Sequence, residues 1–184
     1  MYLMSFQWVS LVRYFGAWWP ESEPNHFQGI QQGSIVLDRK SKTLGLEAGP
    51  AKHGMGLFAT RMFRPGQVLG EVTGERFEDP DYESDYCIDL GDDWSLEPGE
   101  PFRYVNHCCT PNAKLYLVFN DGDPVEKRKV EIEALSNIEA GAEVLIDYEW
   151  PAEGAIPCGC GSPECRGWVV DVEELHLLTN RKPR

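Results

Sequence analysis

Residues 103–112 read Arg103-Tyr104-Val105-Asn106-His107-Cys108-Cys109-Thr110-Pro111-Asn112, and residues 158–165 read Cys158-Gly159-Cys160-Gly161-Ser162-Pro163-Glu164-Cys165. Between them stands Asp147-Tyr148-Glu149-Trp150. The second stretch offers three thiols within eight residues on a loop punctuated by glycine and proline. Tetrahedral zinc takes soft ligands at about 2.3 Å, and cysteines this close on a tight turn supply three of them without strain. The fourth must come from elsewhere, and Cys108 or Cys109 offers it, stapling the C-terminal loop onto the middle of the chain. Four thiolates leave no open coordination position, so such a metal is structural. Catalytic thiol chemistry is the rival reading. It usually uses a C-x-x-C pair beside a helix start, and no such helix is evident here.

Working outward, 184 residues suffice for one domain with its own core. A hydrophobic content of 42% excludes wholesale disorder. Glycine at 18 and proline at 13, with few long periodic runs, favour short strands and turns over a helical bundle. The net charge of −13 argues against a basic, nucleic-acid-binding surface, so no direct nucleic-acid binding is expected. Residues 71–100 hold 12 of the 30 acidic residues and a single base, Arg76. They form either a loop kept soluble by charge or a surface that attracts a basic peptide. Six cysteines with no evident secretory signal do not suggest a disulfide framework. An intracellular protein is expected, with nothing to choose cytoplasm from nucleus. The first nineteen residues are apolar and aromatic but lack a basic start and a small-residue cleavage site. Gln7, Arg13 and two serines interrupt them, so a packing helix or a misassigned start is expected rather than a membrane span.

Residues 20–33 read as a polar, turn-rich linker. Strands are expected at Ser34–Asp38, within His53–Thr60 after a glycine turn, and at Gln67–Gly74. Residues 78–100 read as loop around one short strand, Tyr86–Leu90. Lys114–Phe119 and Lys129–Leu135 read as a hairpin pair around the turn cluster Asn120–Pro124. In the second of these, Val130, Ile132 and Ala134 alternate with Glu131 and Glu133, so one face is buried. Glu143–Tyr148 reads as a further strand and Asp171–Thr179 as a final helix. The absence of a repeat and of any strand–helix alternation excludes a doubly wound sheet.

Taken together and in order, these stretches resemble the SET-domain protein lysine methyltransferases. Gly54-Met55-Gly56-Leu57-Phe58-Ala59 is similar to the family's GxGLFA turn, and Pro65-Gly66 with Glu71–Glu75 to the glycine and E-x-x-GE strand after it. Arg103–Asn112 is similar to R-[FY]-x-NHSCxPN, Ile138–Tyr148 to I-x-x-G-x-E-x-x-x-DY, and Cys158–Gly167 to the post-SET CxCxxxxCxG loop. The resemblance spans residues 35–169. It implies a mostly β fold of small antiparallel sheets, with a C-terminal pseudoknot and a C-terminal zinc loop. The implied division is an N-terminal extension (1–33), the SET domain (34–150), the post-SET loop (151–169) and a C-terminal helix and tail (170–184).

The resemblance further implies transfer of a methyl group from S-adenosylmethionine to a lysine of a basic protein or peptide, such as a histone tail. Tyr148 is similar to the family's catalytic tyrosine, and Tyr86 to a second active-site tyrosine. Gly54, Met55, Gly56, Arg103, Asn106 and His107 fall at cofactor-contacting positions, and Trp168 (with Trp150 as a second candidate) is placed to cover the adenine. Cys109, Cys158, Cys160 and Cys165 are the implied zinc ligands, leaving Cys87 and Cys108 as buried small hydrophobes. The chain departs from the pattern where Ile146 replaces a residue that is often phenylalanine or tyrosine, and where Cys108 replaces serine. It carries no cysteine-rich cluster ahead of the domain. Two other functions compete: a catalytically inactive module that keeps the fold and zinc for interaction, and a thiol redox protein.

Overall fold

A computed structural model describes residues 45–120 and 122–178. The aromatic stretch, the linker over 20–33 and the strand expected at Ser34–Asp38 lie outside the described residues. The described residues form twelve short strands. They are β1 (Leu46–Ala51), β2 (Gly54–Ala59), β3 (Val68–Val72), β4 (Gly74–Glu78), β5 (Ile88–Gly91) and β6 (Trp94–Pro98), followed by β7 (Asn106–His107), β8 (Ala113–Val118), β9 (Lys129–Ala134), β10 (Leu145–Ile146), β11 (Ile156–Pro157) and β12 (Trp168–Val169). They form two three-stranded antiparallel sheets, β3-β9-β8 and β4-β6-β5, two antiparallel pairs, β1-β2 and β11-β12, and one parallel pair, β10-β7. Among the described residues no helix is long and apolar enough to cross a membrane.

The alternation in β9 works as the sequence suggests: Val130, Ile132 and Ala134 are buried while Glu131 and Glu133 are part-exposed. Leu46, Leu57, Phe63, Leu90, Leu96, Ile132, Ile138 and Val144 are fully buried and draw the sheets and the β1-β2 and β10-β7 pairs onto one core. A separate small cluster, Ala152, Val170 and Leu178, is covered by Trp168 and Leu175 and anchors the C-terminal segment.

Three expectations need correction. Residues 78–100 are not mainly loop, because β5 and β6 join β4 in a sheet. The turn between β5 and β6 is Asp92-Asp93, both with left-handed φ (52° and 65°), the backbone that a tight two-residue hairpin demands. Within Glu143–Tyr148 only Leu145–Ile146 is strand, because the flanking residues bond to side chains and to neighbouring segments rather than to a ladder. The helix expected over Asp171–Thr179 is a single 3₁₀ turn, Leu175–Leu178. Asp171 explains this: its carboxylate accepts from the Glu173 N–H and its carbonyl from the Glu174 N–H, favouring turns over a helical ladder.

The arrangement that positions the site is the lacing of residues 105–112 with residues 143–149. The Cys108 N–H donates to the Ile146 carbonyl (2.8 Å) and the Asn112 N–H to the Leu145 carbonyl (3.1 Å). The Asn112 side chain completes the lace: its amide donates to the Glu143 carbonyl and its oxygen accepts from the Leu145 N–H, both at 2.8 Å.

Candidate functional site

A cavity of about 100 Å³ opens beside this lace. Its walls include Tyr86, Cys87, Arg103, Ile146, Tyr148 and Trp150, with the carboxyl-bearing residues Asp85, Asp89, Asp147 and Glu149. Tyr148 is the fixed element. Its hydroxyl donates to the Val105 carbonyl at 2.9 Å, and its ring packs against the main core and lies 5.5 Å from the Trp150 ring. Burial pushes its phenol up to about 12, with the charges of Tyr86, Glu143 and Asp85 adding to the shift. The group is therefore a neutral hydroxyl at physiological pH. It can orient a polar hydrogen or a cation through its lone pairs, but it cannot act as a phenolate base. Tyr86 shares the cavity and is half exposed; the Arg103 guanidinium lies 4.8 Å above its ring and 3.8 Å from Glu97. Lys114 and Glu149 pair at 3.3 Å along the wall.

On the far side of the lace, the Asn106 amide donates to the Met55 carbonyl (2.9 Å) and to Glu143 Oε1 (2.8 Å), binding the glycine turn to β7. Gly54 has φ 77° with open space where a Cβ would stand. At Gly56 a Cβ would meet Glu143 Oε1 at 2.5 Å and the Ala51 Cβ at 2.7 Å, so only glycine permits this close approach. The turn also holds the cysteine loop: the Gly159 carbonyl accepts from Lys52 Nζ (2.7 Å) and from His53 Nε2 (2.9 Å). Gly54, Met55 and Gly56 are thus tied to Asn106 beside that loop, while the next residue, His107, has a largely buried side chain.

The sulfurs of Cys109, Cys158, Cys160 and Cys165 all lie within 4.8 Å of one another. Cys109 stands 3.7 Å from Cys158 and 3.9 Å from Cys165. Four ligands at about 2.3 Å from one zinc, at tetrahedral angles, stand roughly 3.8 Å apart, so the cluster has the dimensions of a structural zinc site. Backbone N–H groups of Cys160, Arg166 and Gly167 donate to sulfurs of the set at 3.4 Å, the orientation that holds thiolates for a metal. Burial pushes the Cys158 thiol well up. For Cys160, burial also works upward but is outweighed by backbone N–H and neighbouring S–H donors, which take the thiol down to about 6. Cys109, not Cys108, joins the set: Cys108 is buried beside Thr110. Cys87 is part-exposed in the cavity wall rather than in the core.

His107 stands between the two regions. Its Nδ1 accepts the Tyr148 N–H at 3.2 Å, so its proton sits on Nε2, 3.5 Å from Cys109 Sγ. Burial is the main force holding its pKa below the ordinary histidine value; Asp147 pulls it up and Arg166 pulls it further down. Asp147 Oδ1 lies 3.5 Å from Nδ1, yet the ring carries no proton there and the carboxylate is committed to Arg166, so this is not an ion pair at neutral pH.

The sequence motifs point to Tyr148, Tyr86 and Arg103, and the fold brings all three to one cavity. Trp168 is not in the cavity wall; it covers the Ala152–Val170–Leu178 cluster, whereas Trp150 lines the cavity. No motif points to Lys52, His53, Lys114 or Glu149, and none pairs Asp147, the acid of the DY motif, with Arg166. The only sequence signal for Arg166 is its place inside the cysteine motif.

A model described as SET domain matches residues 54–149. The chain is 31% identical over 148 residues to a protein of Schizosaccharomyces pombe named histone-lysine N-methyltransferase, H3 lysine-4 specific, covering 71% of this chain and 16% of that protein. It is 31% identical over 132 residues to histone-lysine N-methyltransferase trithorax of Drosophila melanogaster, covering 64% and 3%. A third relative, the H3 lysine-4 specific enzyme of Saccharomyces cerevisiae, is 28% identical over 152 residues, covering 72% and 14%. The chain therefore spans no more than 16% of the length of these three relatives. Among solved structures, KRYPTONITE in complex with mCHH DNA, an H3(1-15) peptide and SAH shares the fold with TM-score 0.59 at 22% identity, covering 67% of this chain and 29% of that one.

Proposed function

The chain belongs to the SET-domain family, and from that premise we propose that it transfers a methyl group from S-adenosylmethionine to the side-chain amine of a lysine in a basic protein or peptide. The observation that carries this reading is one buried, neutral tyrosine, Tyr148, in the wall of a cavity that the carboxyl-bearing Asp85, Asp89 and Glu149 also line. When bound, the cofactor supplies a methyl group on a positively charged sulfonium.

Everything else falls to the chain's own residues. Gly54, Met55, Gly56, Asn106 and His107 would hold the cofactor by their backbone, while Arg103 and Trp150 belong to the walls of the lysine cavity. Asp85, Asp89 and Glu149 attract the cationic side chain to the cavity mouth. A lysine with a pKa near 10.4 must lose its proton before it can attack, which costs about 4 kcal/mol near neutral pH. The low-dielectric walls formed by Ile146, Tyr148 and Trp150 reduce that cost by disfavouring the ammonium. The Tyr148 hydroxyl, held by the Val105 carbonyl, aligns the neutral amine with its lone pair toward the methyl group, and Tyr86 narrows the entrance. The cysteine set would hold one zinc, whose role is to fix the loop over the cofactor surface. The histone-lysine N-methyltransferase names of the relatives support the reaction, and the acid-rich 71–100 segment supports a basic substrate such as a histone tail.

The test is transfer of labelled methyl from S-adenosylmethionine to mixed histones and to a cell lysate, comparing the zinc-loaded chain with Tyr148→Phe and Cys160→Ser. Label on a discrete protein band, lost in both variants, is the expected result. No transfer to any protein in either mixture and no cofactor binding, despite one zinc per chain, would favour the inactive interaction module.

A further inference from the structure

Two separate connections run from the cysteine cluster to Tyr148. The first passes through His107, whose Nε2 faces Cys109 Sγ and whose Nδ1 holds the Tyr148 N–H. The second is shorter in sequence and stronger in chemistry. Arg166 follows the ligand Cys165, and its own N–H donates to Cys109 Sγ at 3.4 Å. Its guanidinium grips Asp147, the residue before Tyr148, with two parallel bonds of 2.6 and 2.8 Å, and it also donates to the Val170 carbonyl at 2.9 Å. The two side chains are only 12% and 17% exposed. A fork-to-carboxylate pair that is mostly withdrawn from water is rigid, and removing either member strands the other's charge. Ile146 is in β10 and Tyr148 is tied at both its N–H and its hydroxyl, so Asp147 cannot move outward without displacing the tyrosine.

We propose that Arg166 is a positioning residue: with Asp147 it carries the order of the cysteine loop to Tyr148, so the loop sets the tyrosine's place as well as covering the cofactor surface. This rests on the reading of Tyr148 given above for its effect on transfer, but not for its effect on backbone order. A loop that lost its metal would release Arg166, leave Asp147 unpaired, and let residues 147–149 turn toward solvent.

The experiment is hydrogen exchange on the full, zinc-loaded chain, with zinc content measured alongside, for wild type, Arg166→Met and Asp147→Asn. Arg166→Met keeps the aliphatic stem but removes the fork. It should retain zinc, speed amide exchange over residues 147–149 by about tenfold or more, and lower kcat by about 10–100-fold with the peptide KM held. Wild-type protection over 147–149 in a zinc-bearing Arg166→Met overturns the proposal. If Arg166→Met sheds its zinc, Asp147→Asn becomes the deciding variant, since it alters the pair from the strand side. Faster exchange over residues 158–169, or loss of zinc, in that variant supports the link, and unchanged loop protection overturns it. Exchange is informative even if wild type transfers no methyl group, so failure of this link and failure of the methyltransferase reading are told apart.

Discussion

Tyr148, the residue to which the proposed reaction assigns the amine-aligning hydroxyl, is held as a neutral phenol well into the alkaline range. Its hydroxyl is bonded to a carbonyl and its ring is buried, so the phenol is pushed up to about 12. An unfolded tyrosine ionises near pH 10. Between those values the unfolded chain has lost a proton that the folded chain keeps, so stability is unaffected below about pH 10 and falls as pH rises beyond it. By pH 12 the loss should reach roughly 2–3 kcal/mol, seen in denaturant midpoints of wild type and absent from Tyr148→Phe. The same substitution should lower methyl transfer by roughly 100-fold or more while costing only about 1–3 kcal/mol of stability at neutral pH, because it removes one hydroxyl bonded to the Val105 carbonyl and little packing. At this scale the sequence is informative where motif and chemistry coincide, as for Tyr148 and the three clustered cysteines. It is silent on Arg166, whose partner Asp147 lies 19 residues away and follows no local spacing rule.

Among the elements, the cysteine loop and the β7–β10 lace matter most. Replacing Cys160 by serine should abolish stoichiometric zinc binding and expose residues 158–169 to protease, while strands β3, β8 and β9 keep their exchange protection. Lowering the pH should release the metal, since ligand thiolates must be reprotonated, and a chelator at neutral pH should reproduce the protease pattern of Cys160→Ser. Strand β9 is legible because its valine, isoleucine and alanine alternate strictly with glutamates. The β4-β6-β5 sheet is not: its acidic residues look like solvated loop, and Glu75 even stands opposite Glu97. The signal for it is Gly91-Asp92-Asp93, residue types that accept left-handed backbone and mark a tight hairpin. At the C-terminus the apolar spacing of Leu175 and Leu178 suggests a helix, but the turn-forming Asp171 outweighs it.

For the whole molecule, one main core built from small groups of strands carries two surfaces, the glycine turn tied to β7 through Asn106 and the wall of the Tyr148 cavity. Ile132 sits fully buried at the centre of β9, and Ile132→Ala should cost about 2–5 kcal/mol in a denaturant titration, a loss that zinc cannot restore. That behaviour separates core from loop: Cys160→Ser should leave most of the cooperative transition in place. The central claim is that these two surfaces meet at a reacting lysine. Its sharpest test is tandem mass spectrometry of a lysine-rich histone H3 tail peptide incubated with the zinc-loaded chain and S-adenosylmethionine. The expected spectrum shows the mass of at least one methyl group on a lysine side chain, dependent on cofactor and lost in Tyr148→Phe. An unmodified peptide, together with no methylated protein in a lysate treated in the same way, would refute the claim.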